Sequence, residues 1–130
     1  MSEKEISFRT SIFPSDGRNG YLYRFWIMSP SFEKDGFQIK EHDKGDTCGC
    51  INRIADGLSA SEALKKMAAL ESKARAASRP ITAFDDRDLG PEFRDAIPFT
   101  DHLNALVAET NYDRLRKRRP KSSAFRLKKP

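Results

Sequence analysis

The chain has 130 residues and carries 24 Lys+Arg against 19 Asp+Glu, a formal net charge of +5. It is sized for one ordinary domain, and with no apolar stretch near 18 residues it has no membrane span. Two cysteines one residue apart, Cys48 and Cys50, rule out a disulfide framework. Together with the charged, apolar-poor Met1–Glu5, which does not read as a signal peptide, they point to a reducing cytoplasm.

The net charge hides a split. Residues 114–130 hold nine basic residues and no acid, so the other 113 positions carry 15 basic against 19 acidic residues, a balance of −4. A mildly acidic domain, residues 1–113, is therefore expected to bear a basic C-terminal arm, residues 114–130. Eight of the 13 aromatics (Phe8, Phe13, Tyr21, Tyr23, Phe25, Trp26, Phe32 and Phe37) fall in the first 39 residues. They are expected to supply much of the core.

Residues 5–13 alternate, with Ile6, Phe8, Thr10 and Ile12 on one face, as in a half-buried strand. The cluster Pro14–Gly20 has turn chemistry. Tyr21–Met28 is apolar on both faces, which predicts a central strand. Gly36–Glu41, where Phe37 and Ile39 alternate with polar residues, completes a three-stranded antiparallel meander, because the connections are too short for crossovers. A polar loop is expected over residues 41–49, then a helical turn or two through Cys50, Ile51 and Ile54, ended by Gly57.

Ser59-Ala60-Ser61-Glu62 spells a capping box. The helix it opens keeps Ala63, Leu64, Met67, Leu70 and Ala74 on one stripe to about Ser78, and Pro80 forbids continuation. An acidic loop (Asp85, Asp86, Asp88) and a short helix after Pro91 follow. Thr100 is expected to cap a last helix, with Leu103, Leu106 and Val107 on its buried edge, Tyr112 and Leu115 extending it, and Pro120 stopping it. The fold class is α+β: a three-stranded antiparallel sheet, two main helices on one of its faces, and an arm disordered when free.

The arm is the strongest functional signal. Arg114, Arg116, Lys117, Arg118, Arg119, Lys121, Arg126, Lys128 and Lys129 match a segment that neutralises phosphates, and arginine forks suit phosphate bidentately. The expected function is a non-enzymatic small protein that grips nucleic acid, DNA or RNA, through this arm. The alternative is a regulator or inhibitor that docks the arm on an acidic protein surface, or covers a nucleic-acid-binding surface of a larger complex. The acidic loop is a possible intramolecular competitor for the arm. In a eukaryotic source, Arg116–Lys121 would also read as a nuclear import signal.

Other constellations are weaker. Tyr21, Tyr23, Arg24 and Trp26 imitate the aromatic-basic surface of sheet RNA readers, but Tyr23 and Phe25 on one face and Trp26 on the other read more simply as core. Cys48 and Cys50 with His42, Asp43 and Asp46 nearby have neither zinc-ligand spacing nor a second ligand pair, so no metal or cofactor is expected. His42, placed in the polar loop, and His102 would serve as the acid–base pair of a small ribonuclease only if they met in space. No catalytic residue is assigned.

Overall fold

The computed structural model describes residues 6–102 and 104. It divides at Phe99/Thr100 into two units, and the folded unit that ends at Phe99 is described first. The α+β class holds, with six strands among the described residues in place of three. In chain order they are β1 (Phe8–Arg9), β2 (Phe13–Pro14), β3 (Tyr23–Pro30), β4 (Phe37–Lys44), β5 (Gly49–Leu58) and β6 (Ile97–Pro98). The helices are α1 (Ala60–Ala77), α2 (Asp86–Leu89) and α3 (Pro91–Asp95). None of the described helices is long and apolar enough to cross a membrane.

The sheet runs β5-β4-β3-β1-β6, with β2 also on β3. The predicted meander is its antiparallel centre, but β6 joins β1 in parallel, so the sheet is mixed. The expected first strand is split by a bulge. Phe8 and Arg9 face Met28 and Ile27, whereas Phe13 and Pro14 face Arg24 and Tyr23, a register shifted by one residue. Thr10 heals the break. Its amide donates to the Trp26 carbonyl at 3.0 Å, while the Trp26 amide donates to Thr10 Oγ1 at 3.0 Å instead of to a backbone oxygen. The same hydroxyl donates to the Ser11 carbonyl at 2.8 Å. The bulge therefore moves Ile12 to the face opposite Phe8, against the simple alternation expected.

Residues 50–57 are strand, not helix. β5 pairs with β4 from Lys44↔Gly49 to Phe37↔Leu58. The predicted loop over 41–49 shrinks accordingly to a tight connection, in which the Gly45 amide donates to the Cys48 carbonyl at 2.8 Å. The capping box is present as expected: Ser59 Oγ accepts from the Glu62 amide at 3.1 Å, and Glu62 Oε1 accepts from the Ser59 amide at 2.9 Å.

Strand parity assigns the two faces. Trp26, Met28 and Ile39 share the face on which α1 lies, with Ala63 and Met67 fully buried. Ser11, brought to this face by the bulge, ties it to the helix: Arg75 Nη2 donates to Ser11 Oγ at 3.0 Å, and Ser11 Oγ donates to the buried Glu71 at 3.3 Å.

The other face is covered by the segment after α1. Ile12, Phe25, Ile27, Leu89 and Phe93 form its core, with Tyr23, Ile81 and Phe84 packed around. Phe93 meets Phe25 edge-on at 5.0 Å, and each such buried ring contributes about 2–3 kcal/mol. α1 holds one face and the irregular segment with α2 and α3 covers the other, while the packing of the second main helix expected after Thr100 lies outside the described residues. The Ile81 amide, donating to the Ile12 carbonyl at 2.7 Å, anchors that segment.

In the second unit, only residues 100–102 and 104 are described, and all four are helical. Helical conformation already begins at residue 99, so Thr100 lies inside the helix and does not cap it. Residues 105–130 lie outside the described part, and with them the second main helix beyond residue 104.

Candidate binding surface

The nine arm residues, Arg114, Arg116, Lys117, Arg118, Arg119, Lys121, Arg126, Lys128 and Lys129, all lie outside the described residues. The acidic loop that was their possible intramolecular partner is partly committed. Asp85 caps α2 by accepting from the Arg87 amide at 2.9 Å, and it pairs with the Arg87 guanidinium at 2.9 Å. That side-chain hydrogen bond is the main reason its carboxyl is held below the usual range.

His42 is not in a loop. It lies in β4 opposite Phe25, is 2% exposed, and stacks on the Phe25 ring with centroids 4.8 Å apart and planes 16° from parallel. Its Nε2 has no hydrogen-bond partner among the described residues. Burial pushes its pKa from 6.5 down to about 4. The imidazole is thus a neutral core group, which removes the solvent-facing base that the ribonuclease arrangement required.

Arg24 donates through Nε to Asp43 at 2.7 Å, and Trp26 donates through Nε1 to Glu41 at 3.0 Å. Trp26 is buried and Tyr23 packs on the core, so the aromatic-basic stretch around Trp26 is structural. Cys48 is exposed and donates to the Asn19 carbonyl at 3.4 Å, and Cys50 sits in β5 rather than at a helix start. Among the described residues there is no cluster of three or more His, Cys, Asp or Glu arranged to hold a metal ion.

The surface that sequence reasoning missed is the outer part of the face carrying His42. There β4 presents Lys40 and Lys44 on either side of His42, and β5 places Arg53 opposite Lys40 and Ile51 opposite His42. This part of the sheet forms the floor of an open cleft of about 1050 Å³, lined by Ser31, Phe32, Gln38, Lys40, Ile51 and Arg53 among others. Phe32, expected to join the core, is 92% exposed at its rim, and Ile51 is 45% exposed on its floor.

The loop that carries Phe32 is pinned. The Ser31 amide donates to the Gly36 carbonyl at 2.9 Å, and Ser31 Oγ donates to Asp56 Oδ1 at 2.6 Å. The Lys34 amide donates to Ser31 Oγ at 2.9 Å, and Arg53 bridges Glu33 at 3.1 Å and Asp56 at 3.4 Å. The Ser31 hydroxyl is the leading reason that the Asp56 carboxyl titrates below its usual range. Gly36 closes the loop at φ 93°, where an added Cβ would collide with the Leu58 carbonyl oxygen. The sequence did hold a signal for this loop: Phe32 stands alone in the polar run Ser31–Gly36, with no apolar residue at strand or helix spacing inside it.

Comparison of the chain with protein-family models, with curated proteins and with solved structures finds no match in any of the three.

Proposed function

We propose that the chain is a non-enzymatic binding protein that grips nucleic acid with residues 114–130, while the folded unit limits how the ligand lies. The observation that carries this reading is the segregation of charge: nine cations and no acid in 17 residues, against −4 over the rest. Phosphate contacts of this kind position a ligand without reading its sequence. Lys40 and Lys44 on the sheet add two cations along which a strand can lie, with Phe32 available for stacking, while Arg53 beside them is taken by Glu33 and Asp56.

A salt titration tests it. With about six phosphate contacts, log K falls against log salt with a slope near −5 on duplex DNA. Deleting residues 114–130 then abolishes binding to DNA and RNA alike. An intact chain that ignores both at about 50 mM salt, where such contacts are strong, overturns the reading.

One observation favours a second reading, the protein-binding regulator. A fully exposed phenylalanine on a pinned loop, beside the exposed Ile51, has the character of an interface anchor. Under that reading Phe32→Ala and loss of the arm each weaken partner binding severalfold; under the first, loss of the arm abolishes nucleic-acid binding and Phe32→Ala weakens it far less.

A further inference from the structure

Of the described strands, β5 is the long one with an open side. It ends the sheet order, and among the described strands only β4 pairs with it. The opposite edge, β6, is two residues long and ends in Pro98, which has no amide proton to offer. Gly49 and residues 51–54 are exposed, Ile51 at 45% and Ile54 at 38%.

Hydrogen bonds on the page decide which backbone groups of β5 face outward. In an antiparallel ladder, hydrogen-bonded and non-hydrogen-bonded pairs alternate. The Gly45 amide donates to the Cys48 carbonyl, so that pair is bonded, Lys44↔Gly49 is not, and the alternation runs on to Arg53. Asp43↔Cys50 and Glu41↔Asn52 are then bonded pairs, while Gly49, Ile51 and Arg53 turn their amides and carbonyls away from β4. The far side of the sheet agrees. The Thr10 amide donates to the Trp26 carbonyl, so the backbone of Trp26 is turned toward β1 and that of Phe25 toward His42, which again leaves Ile51 facing outward.

Edges of this kind are normally guarded by charge or by a bulge. The one charge in the exposed run, Arg53, is committed to Glu33 at 3.1 Å and Asp56 at 3.4 Å. The register shift lies beyond Arg53, so Gly49–Arg53 is a regular strand with nothing to stop a second strand from pairing.

We propose that this run is a self-association edge: two copies pair β5 with β5, antiparallel about a two-fold axis at Ile51, and form one continuous sheet. Gly49 then bonds to Arg53 of the second copy, Ile51 to Ile51 of the second copy, and Arg53 to Gly49 of the second copy. Side chains and register select this axis. An axis at Arg53 sets two arginines face to face. An axis at Asn52 pairs Gly49 with Ala55 across the register shift, and one at Cys50 spends part of the pairing on the turn before Gly49. The Ile51 axis keeps the whole run paired and sets isoleucine against isoleucine on the face that carries His42. Both copies use the same edge, so the contact closes at two chains, and the short β6 gives no second edge for growth. One strand pair is a small interface, below about 1200 Å², so the dimer forms at micromolar to millimolar concentration. The inference does not depend on the nucleic-acid reading.

The full-length chain, freed of nucleic acid, is followed by sedimentation velocity from about 10 µM to about 1 mM, in about 0.5 M salt to screen contacts of the basic segment. The expected result is a reversible shift from a 14.8 kDa species to twice that mass and no further. Ile51→Lys, at a half-exposed position, places like charges at the axis and is expected to weaken the dimer at least about tenfold. Asn52→Cys reports the register. Cys50 and position 52 of the second copy form a non-hydrogen-bonded pair with Cα atoms about 4.5 Å apart, inside disulfide range. In a Cys48→Ser background, oxidised glutathione is expected to link position 52 to Cys50 of the second copy. A chain that stays monomeric at about 1 mM leaves the edge to some other strand and overturns the proposal. So does an Ile51→Lys chain that dimerises as the native one does, and so does a crosslink that joins position 52 to position 52 or fails to form. Should Ile51→Lys fail to fold, the crosslink decides alone.

Discussion

Acidification should loosen this fold through His42 before the carboxyls of Asp16, Asp56, Glu62 and Asp85 are affected. The imidazole lies on Phe25, and its Nε2 has no hydrogen-bond partner among the described residues. Protonation would place a charge in that dry site, with Lys44 and Lys40 repelling it and Glu92 and Asp43 only partly compensating. Its pKa in the fold is about 4 against 6.5 when unperturbed. Because the folded value is the lower one, the unfolded chain binds the proton first. Stability is therefore complete above pH 6.5 and declines as pH falls toward 4. At about 1.4 kcal/mol per pKa unit, the full decline is worth about 3 kcal/mol, a large share of a small domain's stability.

The carboxyls of Asp16, Asp56, Glu62 and Asp85 are held below their ordinary values of 3.8 to 4.5. Their contributions are lost only as pH falls below that range. The assay is urea unfolding followed by Trp26 fluorescence, at steps from pH 7.5 to about 4.5, on the native chain and on His42→Phe, which keeps a ring on Phe25 but cannot titrate. The native chain should lose about 2–3 kcal/mol over that span relative to the variant. Parallel curves for the two proteins would refute the assignment of His42 as a buried neutral group.

Two substitutions test the local devices. Gly36→Ala should destabilise by at least about 2 kcal/mol in the same urea assay, because the residue has both a positive φ and no room for a Cβ against Leu58; a cost below about 0.5 kcal/mol would show that the loop relaxes freely. Thr10→Val keeps the shape but leaves the Trp26 amide without its acceptor, at a cost of about 1–3 kcal/mol. Thr10→Ser, which keeps the hydroxyl, should recover most of this, and equal losses in the two variants would contradict the bulge-healing role.

Local chemistry was readable where a few neighbouring residues decide the outcome. Ser59 and Glu62 cap α1 as their spacing requires, and Tyr23, Phe25 and Trp26 build both sides of a central strand. What misled the reading was irregularity within strands. Cys50, Ile51 and Ile54 have helix-like spacing because β5 carries a register shift against Ile39 and Lys40, which breaks the two-residue alternation. Ile51 and Ile54 are partly exposed on an edge strand, so burial imposes no period on them. Likewise His42 and Lys44 resemble a polar loop only until their long-range pairing with Phe25 and Tyr23 is seen.

The parallel pairing of β6 with β1 sets a clock on how the protein is made. Phe8 meets Ile97, and the Ile97 amide donates to the Ser7 carbonyl at 2.9 Å. During synthesis the first strand can pair with β3 early, but its other edge stays bare until almost ninety further residues have been added. At about 5–20 residues per second that is an interval of several seconds or more. Through that interval the nascent chain presents an open edge next to its earliest aromatic strand. A chaperone, or a second nascent copy, would find its opening there, on an edge that β6 closes in the finished sheet.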